Sequence, residues 1–487
     1  MHSPIIRRID VDGIARSGDL YETFAALSSG TVDYLSALRP HQTEVWHVFS
    51  VQVAVLAIEH AGLTSAPTKA EEWCKILHAL TPTWPDGEPW QIVVEDLSRP
   101  ALLQPAIPHV DIRKDLVADT PDQLDVLVSG RNHEIKSRAI GDPRDDDWLF
   151  ALLTLQTSEG SMGAGTKAVS RINGGYASRT TMRFVPPGGM SASFLRDVYV
   201  LLRTRSASPP PSTPVILWAE PWTGTPDVSF RADELDPLYV EICRRVRLLD
   251  AGDGIRAQRT SPARSALVSS ENGVAGCPWT PIVLSDKGNK SFSPGPVHDY
   301  RVPAALLDRV RTLRPLLAEV HPGDPPGGEI RIQGLRRGQG ATERLDVYRV
   351  PMPGGDAVAA MALLDVAMPK QAAAYARAWT IARTALMSAR QGAPDRIRFD
   401  DAASSTWADE AQGVFAEQVE LTICEDPGLT PEAVRQQAAE IARVTFRNRV
   451  ATLPGASTPR GLATTARSDG MLEGMLHKYL KGVTDEQ

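Results

Sequence analysis

Residues Ser158–Val185 read SEGSMGAGTKAVSRINGGYASRTTMRFV, and the rest of the chain is best understood outward from them. The stretch holds five glycines (Gly160, Gly163, Gly165, Gly174, Gly175), the acid Glu159 and the cations Lys167, Arg171, Arg179 and Arg183. Glycine lets a backbone take positive φ and lets a partner come close. Basic side chains and free amides beside such a turn suit phosphate. Two readings follow: a surface connector with solvated charges, or a loop laid against nucleic acid. The second makes Gly160, Ser161, Met162, Gly163, Ala164, Gly165 and Lys167 the contact residues, with Arg171 and Arg179 as further contacts.

The same stretch contains a near match to a phosphate loop, G-x-x-x-x-G-K-[ST], in Gly160–Lys167, while Met361–Asp365 (MALLD) resembles a magnesium-binding strand end. Thr166 and Lys167 stand in reversed order, so the lysine and the hydroxyl each point to the wrong place for phosphate and metal. A nucleotide-binding hydrolase built on this loop is the competing function. A plain scaffold with solvated glycine loops is a third.

At 487 residues the chain is long enough for two or three domains. Apolar residues make up 42% and charged ones 23%, an ordinary globular balance. A formal net charge of −7 argues against a surface basic all over, but allows basic loops on an acidic body. The cysteines, Cys74, Cys243, Cys277 and Cys424, are far apart and form no C-x-x-C pair, so disulfides and a cysteine-built zinc site are not expected and a reducing cytoplasm is the simplest setting. MHSPIIRRID does not read as a signal peptide. Val45–Ile58, the longest apolar helix candidate, is interrupted by His47, Ser50 and Gln52, so no membrane span is expected. No carboxylate pair, Ser/His/Asp set or metal-ligand cluster stands out, which predicts neither catalysis nor a cofactor.

Along the chain, IIRRIDVDG predicts a strand running into a turn at Asp12-Gly13. Thr43 is expected to cap a helix through EVWHVFSVQVAVLAIEHAG that stops at Gly62. Thr68–Glu71 reads as a capping box opening a second helix. Proline-rich connections follow. The polar run 130–147, GRNHEIKSRAIGDPRDDD, offers Arg131, Lys136 and Arg138 as phosphate contacts. Trp148–Leu155 is a buried apolar run leading into the glycine stretch. Between Glu241 and Arg264 six arginines face three acids, a second basic cluster that includes Arg256 and Arg259. EIRIQGLRRGQGATERLDVYRVPMP (329–353) reads strand, glycine-rich turn, strand, with Arg336, Arg337, Gly338, Gln339 and Gly340 at the tip.

From Pro369 onward the sequence becomes alanine-rich and amphipathic. QAAAYARAWTIARTALMSAR, WADEAQGVFAEQVELTI, TPEAVRQQAAEIARVTFRNRV and GLATTARSDGMLEGMLHKYL predict four helices, the third with Thr430 as its N-cap and Pro431 in its first position. The expected fold is therefore α+β: a large irregular mixed α/β N-terminal domain, residues 1–368, followed by a C-terminal four-helix bundle, residues 369–487.

In this order and spacing, four features resemble the CasA family, the large subunit of the type I-E CRISPR Cascade complex. RIDVDG…LRPHQTEVWHVFSVQVAVLAI is similar to the family's opening strand and first helix, and NGGYASRTTMRFV to its central glycine-rich segment. IQGLRRGQGATERLDVY resembles its wedge hairpin, and the helical C-terminus ends in a similar HKYL. The resemblance implies a non-enzymatic subunit of an RNA-guided complex. Such a subunit reads the protospacer-adjacent motif of double-stranded DNA from the minor groove, starts unwinding with a wedge and helps hold the displaced strand. Its implied partners are the guide RNA-containing Cascade subunits, the target DNA and a recruited helicase–nuclease, with no membrane. Arg256 and Arg259 are candidates for the family's basic residue that reaches the motif from the middle region. Some relatives carry a cysteine-rich knuckle there; this chain has only Cys243 and Cys277, so no metal site is implied.

Overall fold

In the computed structural model, the described residues are 3–107, 112–126, 140–158, 179–205, 216–220, 235–260, 271–295, 299, 301–337, 342–392, 401–426, 428–453 and 455–482. The chain divides into two compact units. One comprises Met1–Pro294 and Leu313–Tyr348, the other Gly295–Thr312 and Arg349–Gln487.

The first unit is built around helix α2 (Pro40–His60), which is buried on nearly every side from Trp46 to Ile58. A helix apolar all round has to be covered all round. Its neighbours are α3 (Ala70–Ala79), α5 (Asp145–Ser158) and α6 (Gly189–Arg205). Trp46 meets Phe150 edge-on with ring centroids 5.3 Å apart, and Trp218 meets Trp90 in the same way at 5.7 Å. Such aromatic pairs stabilise by about 0.5–1.5 kcal/mol beyond the area they bury. Helix α1 (Leu20–Ser28) opens with a complete capping box between Asp19 and Glu22. Strand β1 (Ile6–Asp10) is the middle strand between β2 (Ala15–Gly18) and β3 (Val32–Leu35), all antiparallel, with Gly13 at φ +77 in the turn. That is the strand and turn expected from IIRRIDVDG.

Three further sheets follow. Strand β7 (Ile255–Thr260) lies between β4 (Ile112–Ala118) and β6 (Val246–Asp250); a short helix, α4 (Pro121–Leu124), follows β4. The two-residue strands β8 (Ile282–Val283) and β9 (Lys290–Ser291) pair, and β10 (Thr312–Leu313) sits at the boundary of the units. Strand β11 (Glu329–Arg337) is flanked by β5 (Thr181–Val185) and β12 (Thr342–Pro351), the hairpin strands expected over 329–353.

The second unit is helical: α7 (Val302–Leu307), α8 (Ala357–Gln391), α9 (Asp401–Asp409), α10 (Gln412–Glu425), α11 (Pro431–Val450) and α12 (Pro459–Leu480). The 35-residue α8 is its spine, packed by α7, α9, α11 and α12 through an alanine-rich face that includes the buried Ala378, Ala382, Ala385 and Ala389. Small residues at helical spacing let helix axes approach closely. Thr430 caps α11 through Ala433 N–H at 3.3 Å with Pro431 in the first turn, as its sequence predicts.

Several expectations need correction. α2 starts at Pro40, not after Thr43: proline is favoured in a first turn, and Gln42 Oε1 accepts the Arg39 N–H at 2.9 Å. Its end at Gly62, φ +65, is as expected. α3 starts at Ala70 behind Lys69, with no side-chain cap from Thr68. Pro369, expected at the start of the helical region, lies inside α8, which begins at Ala357 behind Asp356, whose carboxylate caps Ala359 N–H at 2.9 Å. The units accordingly meet in sequence at Tyr348/Arg349, not at 368–369, and residues 295–312 join the helical one. The segment read as one helix from Trp407 is two, α9 and α10, broken at Glu410–Ala411, so the described C-terminal helices number five from Ala357 onward. α8 is also long and apolar enough by composition to cross a bilayer, with mean hydropathy 1.2 over its best window. The sequence reading missed this because it cut the helix at Pro369.

Candidate nucleic-acid interface

The glycine stretch leaves the described structure after Ser158, the last residue of α5, and returns at Arg179. Gly160, Ser161, Met162, Gly163, Ala164, Gly165, Lys167 and Arg171 lie outside the described residues, as do Arg131, Lys136 and Arg138 and the hairpin residues Gly338, Gln339 and Gly340. The roots of both segments are described, and they share one sheet. Directly after Arg179 and Thr180 the chain enters β5, where Thr181 stands opposite Gln333 of β11. β11 then runs on to Arg337 at the hairpin turn, four residues further, or roughly 13 Å at strand spacing. Gly334 makes the close approach possible: a Cβ there would lie 2.8 Å from Thr180 Oγ1 and 2.9 Å from Pro294 Cγ.

Beneath this sheet sits a buried charge network. Glu44 of α2 accepts Arg183 Nε at 2.7 Å and Nη2 at 3.0 Å, a two-pronged pair in which both side chains are 3% exposed. Arg331 of β11 reaches the same carboxylate at 3.3 Å. Burial would raise the pKa of Glu44, but Arg183 outweighs it and holds the group at about 2. Burial and Arg183 push His47 below its ordinary value, so its neutral ring donates Nε2–H to Asp197 Oδ2 at 2.7 Å. Arg196 closes the chain of contacts: it bonds Asp197 at 3.0 Å, Asp324 at 2.9 Å and the Leu317 carbonyl at 2.8 Å. The β5–β11 sheet is thereby tied to α2 and α6. Buried ion pairs of this kind hold a packing in place, although Arg183 Nη1 makes no hydrogen bond among the described residues.

The expected basic residues separate into different roles. Arg179 is an internal ion partner of Glu241 at 3.0 Å, 7% exposed, and contacts Cys277 Sγ at 3.2 Å. The arginine cluster at 241–264 also divides: Arg244, Arg245 and Arg247 are buried. Arg247 donates to the carbonyls of Arg99 at 2.8 Å and Val94 at 3.0 Å, and burial lowers its pKa to about 10. Arg256 is half exposed near Asp253. Arg259 pairs by its backbone with Val246. Arg336 is half-buried, its Nη1 3.5 Å from the Pro294 carbonyl, and Arg337 ends β11. Among the described residues no group of three or more His, Cys, Asp or Glu could hold a metal ion.

The phosphate-loop reading is overturned by its surroundings. Such a loop joins a strand to a helix, but here helix α5 precedes it. Met361–Asp365 is no strand end: it lies within α8, and Asp365 pairs with Arg309 at 3.0 Å. Sequence reasoning missed the Glu44–Arg183–Arg331 network. Its one signal was Glu44 and His47 standing in an otherwise apolar helix.

Comparison with solved structures finds this fold over nearly the whole chain. Cse1 from Thermobifida fusca matches with a TM-score of 0.69 at 16% identity, covering 99% of this chain and 98% of that one. CasA (Cse1) from Thermus thermophilus matches with a TM-score of 0.65 at 15% identity, covering 98% of each. A chain of a CRISPR RNA-guided surveillance complex matches with a TM-score of 0.59 at 16% identity, covering 97% of this chain and 98% of that one. No family model and no curated protein sequence matches. The chain has the CasA (Cse1) fold.

Proposed function

We propose that this chain, built on the CasA fold, is the non-catalytic large subunit of a type I-E Cascade complex that recognises the motif flanking a DNA target and begins strand separation. The observation that carries the reading is the common root of its two contact segments. The glycine loop returns into β5 at Thr181, opposite Gln333, and the hairpin of β11 turns just beyond Arg337. Roughly 13 Å along the strand corresponds to about four base pairs of duplex at ~3.4 Å each. One segment can therefore lie in the minor groove at the flanking motif while the other meets the first pairs of the target.

In this reading Gly160–Gly165 approach the groove floor, where the code is degenerate and recognition tolerant. Lys167 takes phosphate. Arg336 and Arg337 hold the phosphates beside the hairpin, and Gln339, whose amide both donates and accepts, replaces base-edge hydrogen bonds freed when a pair opens. Opening a step costs about a few kcal/mol, and the inserted tip offsets part of it. Arg131, Lys136, Arg138, Arg171, Arg256 and Arg259 supply further contacts. The buried network under β5 and β11 keeps both segments in register. The helical unit packs on neighbouring Cascade subunits and the displaced strand, and the assembly recruits a helicase–nuclease from the cytoplasm it shares.

The test is Gln339→Ala combined with Arg337→Ala in the assembled complex, measured on fully paired DNA and on DNA mismatched beside the flanking motif. The double variant is expected to slow strand separation on the first and to regain the parent rate on the second. A defect equally large on pre-opened DNA would leave the hairpin as a binding contact and remove the wedge.

A further inference from the structure

The helical unit contains a cavity of about 510 Å³ between α8, the start of α11 and Tyr479 of α12. Its walls are aliphatic, with Leu363, Val366 and Val434 prominent, and Lys370, Arg377 and Arg435 stand around it; among the described residues no aspartate or glutamate lines it. Several arginines elsewhere in this unit are neutralised, while Arg447, Arg460 and Arg467 stand exposed to water. Arg383 pairs with Asp409, Arg443 with Glu473, Arg449 with Glu410 and Arg309 with Asp365. The three cations at the cavity have no carboxylate partner among the described residues, and Arg435 Nε is buried without a hydrogen bond. Arg377, Arg435 and Tyr479 all line the cavity, and the Tyr479 hydroxyl donates to the Ala374 carbonyl at 3.0 Å. Lys370 and Arg377 are exposed and Arg435 is half-buried, so the three give this cavity a positive rim on an otherwise acidic chain, a local field that attracts anions.

We propose that this cavity binds a small anionic amphiphile, a carboxylate or phosphate monoester joined to an aliphatic body. The cations take the head group in charge-assisted hydrogen bonds. The aliphatic walls take the body, and the volume falls in the range of pockets that enclose small organic ligands. An inorganic ion would leave those walls wet. A nucleobase would need aromatic faces to stack on, and among the described residues Tyr479 alone is an aromatic lining the cavity. None of its residues belongs to the β5–β11 region that carries the reading of the glycine loop and hairpin.

Calorimetric titration of the full chain with octyl phosphate, octanoate, octanol, octylammonium and inorganic phosphate tests it. Octyl phosphate, octanoate or both bind saturably at one site, and their ratio tells which head group is preferred. Octanol, octylammonium and inorganic phosphate bind at least about tenfold more weakly, as expected from losing a charged hydrogen bond or the apolar body. Arg377→Met and Val366→Glu, both at exposed positions, each weaken the preferred anion about tenfold while the circular dichroism spectrum and Tm stay those of the parent. Val366→Glu keeps the test open if the arginine variant folds poorly, because it adds a repelling carboxylate at a solvent-facing rim. Equal binding of octanol, equal binding of inorganic phosphate, unchanged affinity in the folded variants, or no saturable binding of either anion would each overturn the proposal.

Discussion

Replacing Glu44 by glutamine removes a charge and little else, which makes it the sharpest probe of how the β5–β11 sheet is held. The carboxylate receives two hydrogen bonds from Arg183 and one from Arg331 while almost fully buried. Its folded pKa of about 2 lies below the ordinary 4.5. At about 1.4 kcal/mol per pKa unit, that difference amounts to about 3 kcal/mol. Leaving a buried arginine without its partner costs about 3–5 kcal/mol by direct analogy, which agrees. The sign follows from linkage. A carboxylate with a depressed folded pKa contributes its full stability above the unfolded value of about 4.5, and loses it as pH falls toward about 2. Urea unfolding of parent and Glu44→Gln, followed by the fluorescence of the buried tryptophans Trp46 and Trp148, reads this directly. The expected gap is about 3 kcal/mol at pH 7, narrowing steadily once the pH drops below about 4.5. A gap of the same size at pH 7 and pH 3, or none at pH 7, would refute the ion-pair account.

Gly189→Ala is expected to destabilise the first unit by about 1–3 kcal/mol, because φ is +78 and the new Cβ would sit 2.5 Å from Asp33 Oδ1 and 2.9 Å from its Cα; an unchanged Tm would contradict this. Arg179→Met should cost about 3–5 kcal/mol of stability by removing the guanidinium that pairs with buried Glu241, whereas a nucleic-acid contact would leave urea unfolding unchanged and lower DNA affinity instead. In the assembled complex, Lys167→Ala should weaken DNA binding evenly across sequences and reduce the salt slope by about 1. Gly163→Leu and Gly165→Leu should selectively weaken targets bearing the flanking motif, and parent-like binding by both leucine variants would remove the glycine loop from the interface.

Several local features are legible in the sequence, although the caps expected at Thr43 and Thr68 do not form, and long-range contacts are not legible. The turn at Gly13, the stop at Gly62, the cap at Thr430 and the hairpin strands at 329–353 are each set by residues a few positions apart, so they could be read in a single pass. The network at Glu44 could not. Its partners lie 139 and 287 residues away, and nothing in the spacing of Arg183 or Arg331 distinguishes a buried cation from a solvated one. The same limit explains the cluster at 241–264, which looks uniformly basic. Arg247 is surrounded by backbone carbonyls supplied by residues 94–105, a coordination only the folded chain reveals. At Pro369 a local rule misled. Proline disfavours a helix interior by about 3 kcal/mol, yet the packing of α8 along α7, α9, α11 and α12 outweighs it.

The central claim is that this chain reads double-stranded DNA on behalf of a guide RNA held by other subunits. The direct measurement is target affinity of the guide-loaded complex assembled with and without the chain, on duplex DNA bearing the flanking motif and on the matching single strand. If the claim holds, omitting the chain abolishes tight binding to the duplex and leaves binding to the single strand close to that of the full complex, because base pairing alone recognises an already open target. Equal binding of the duplex with and without the chain would contradict it.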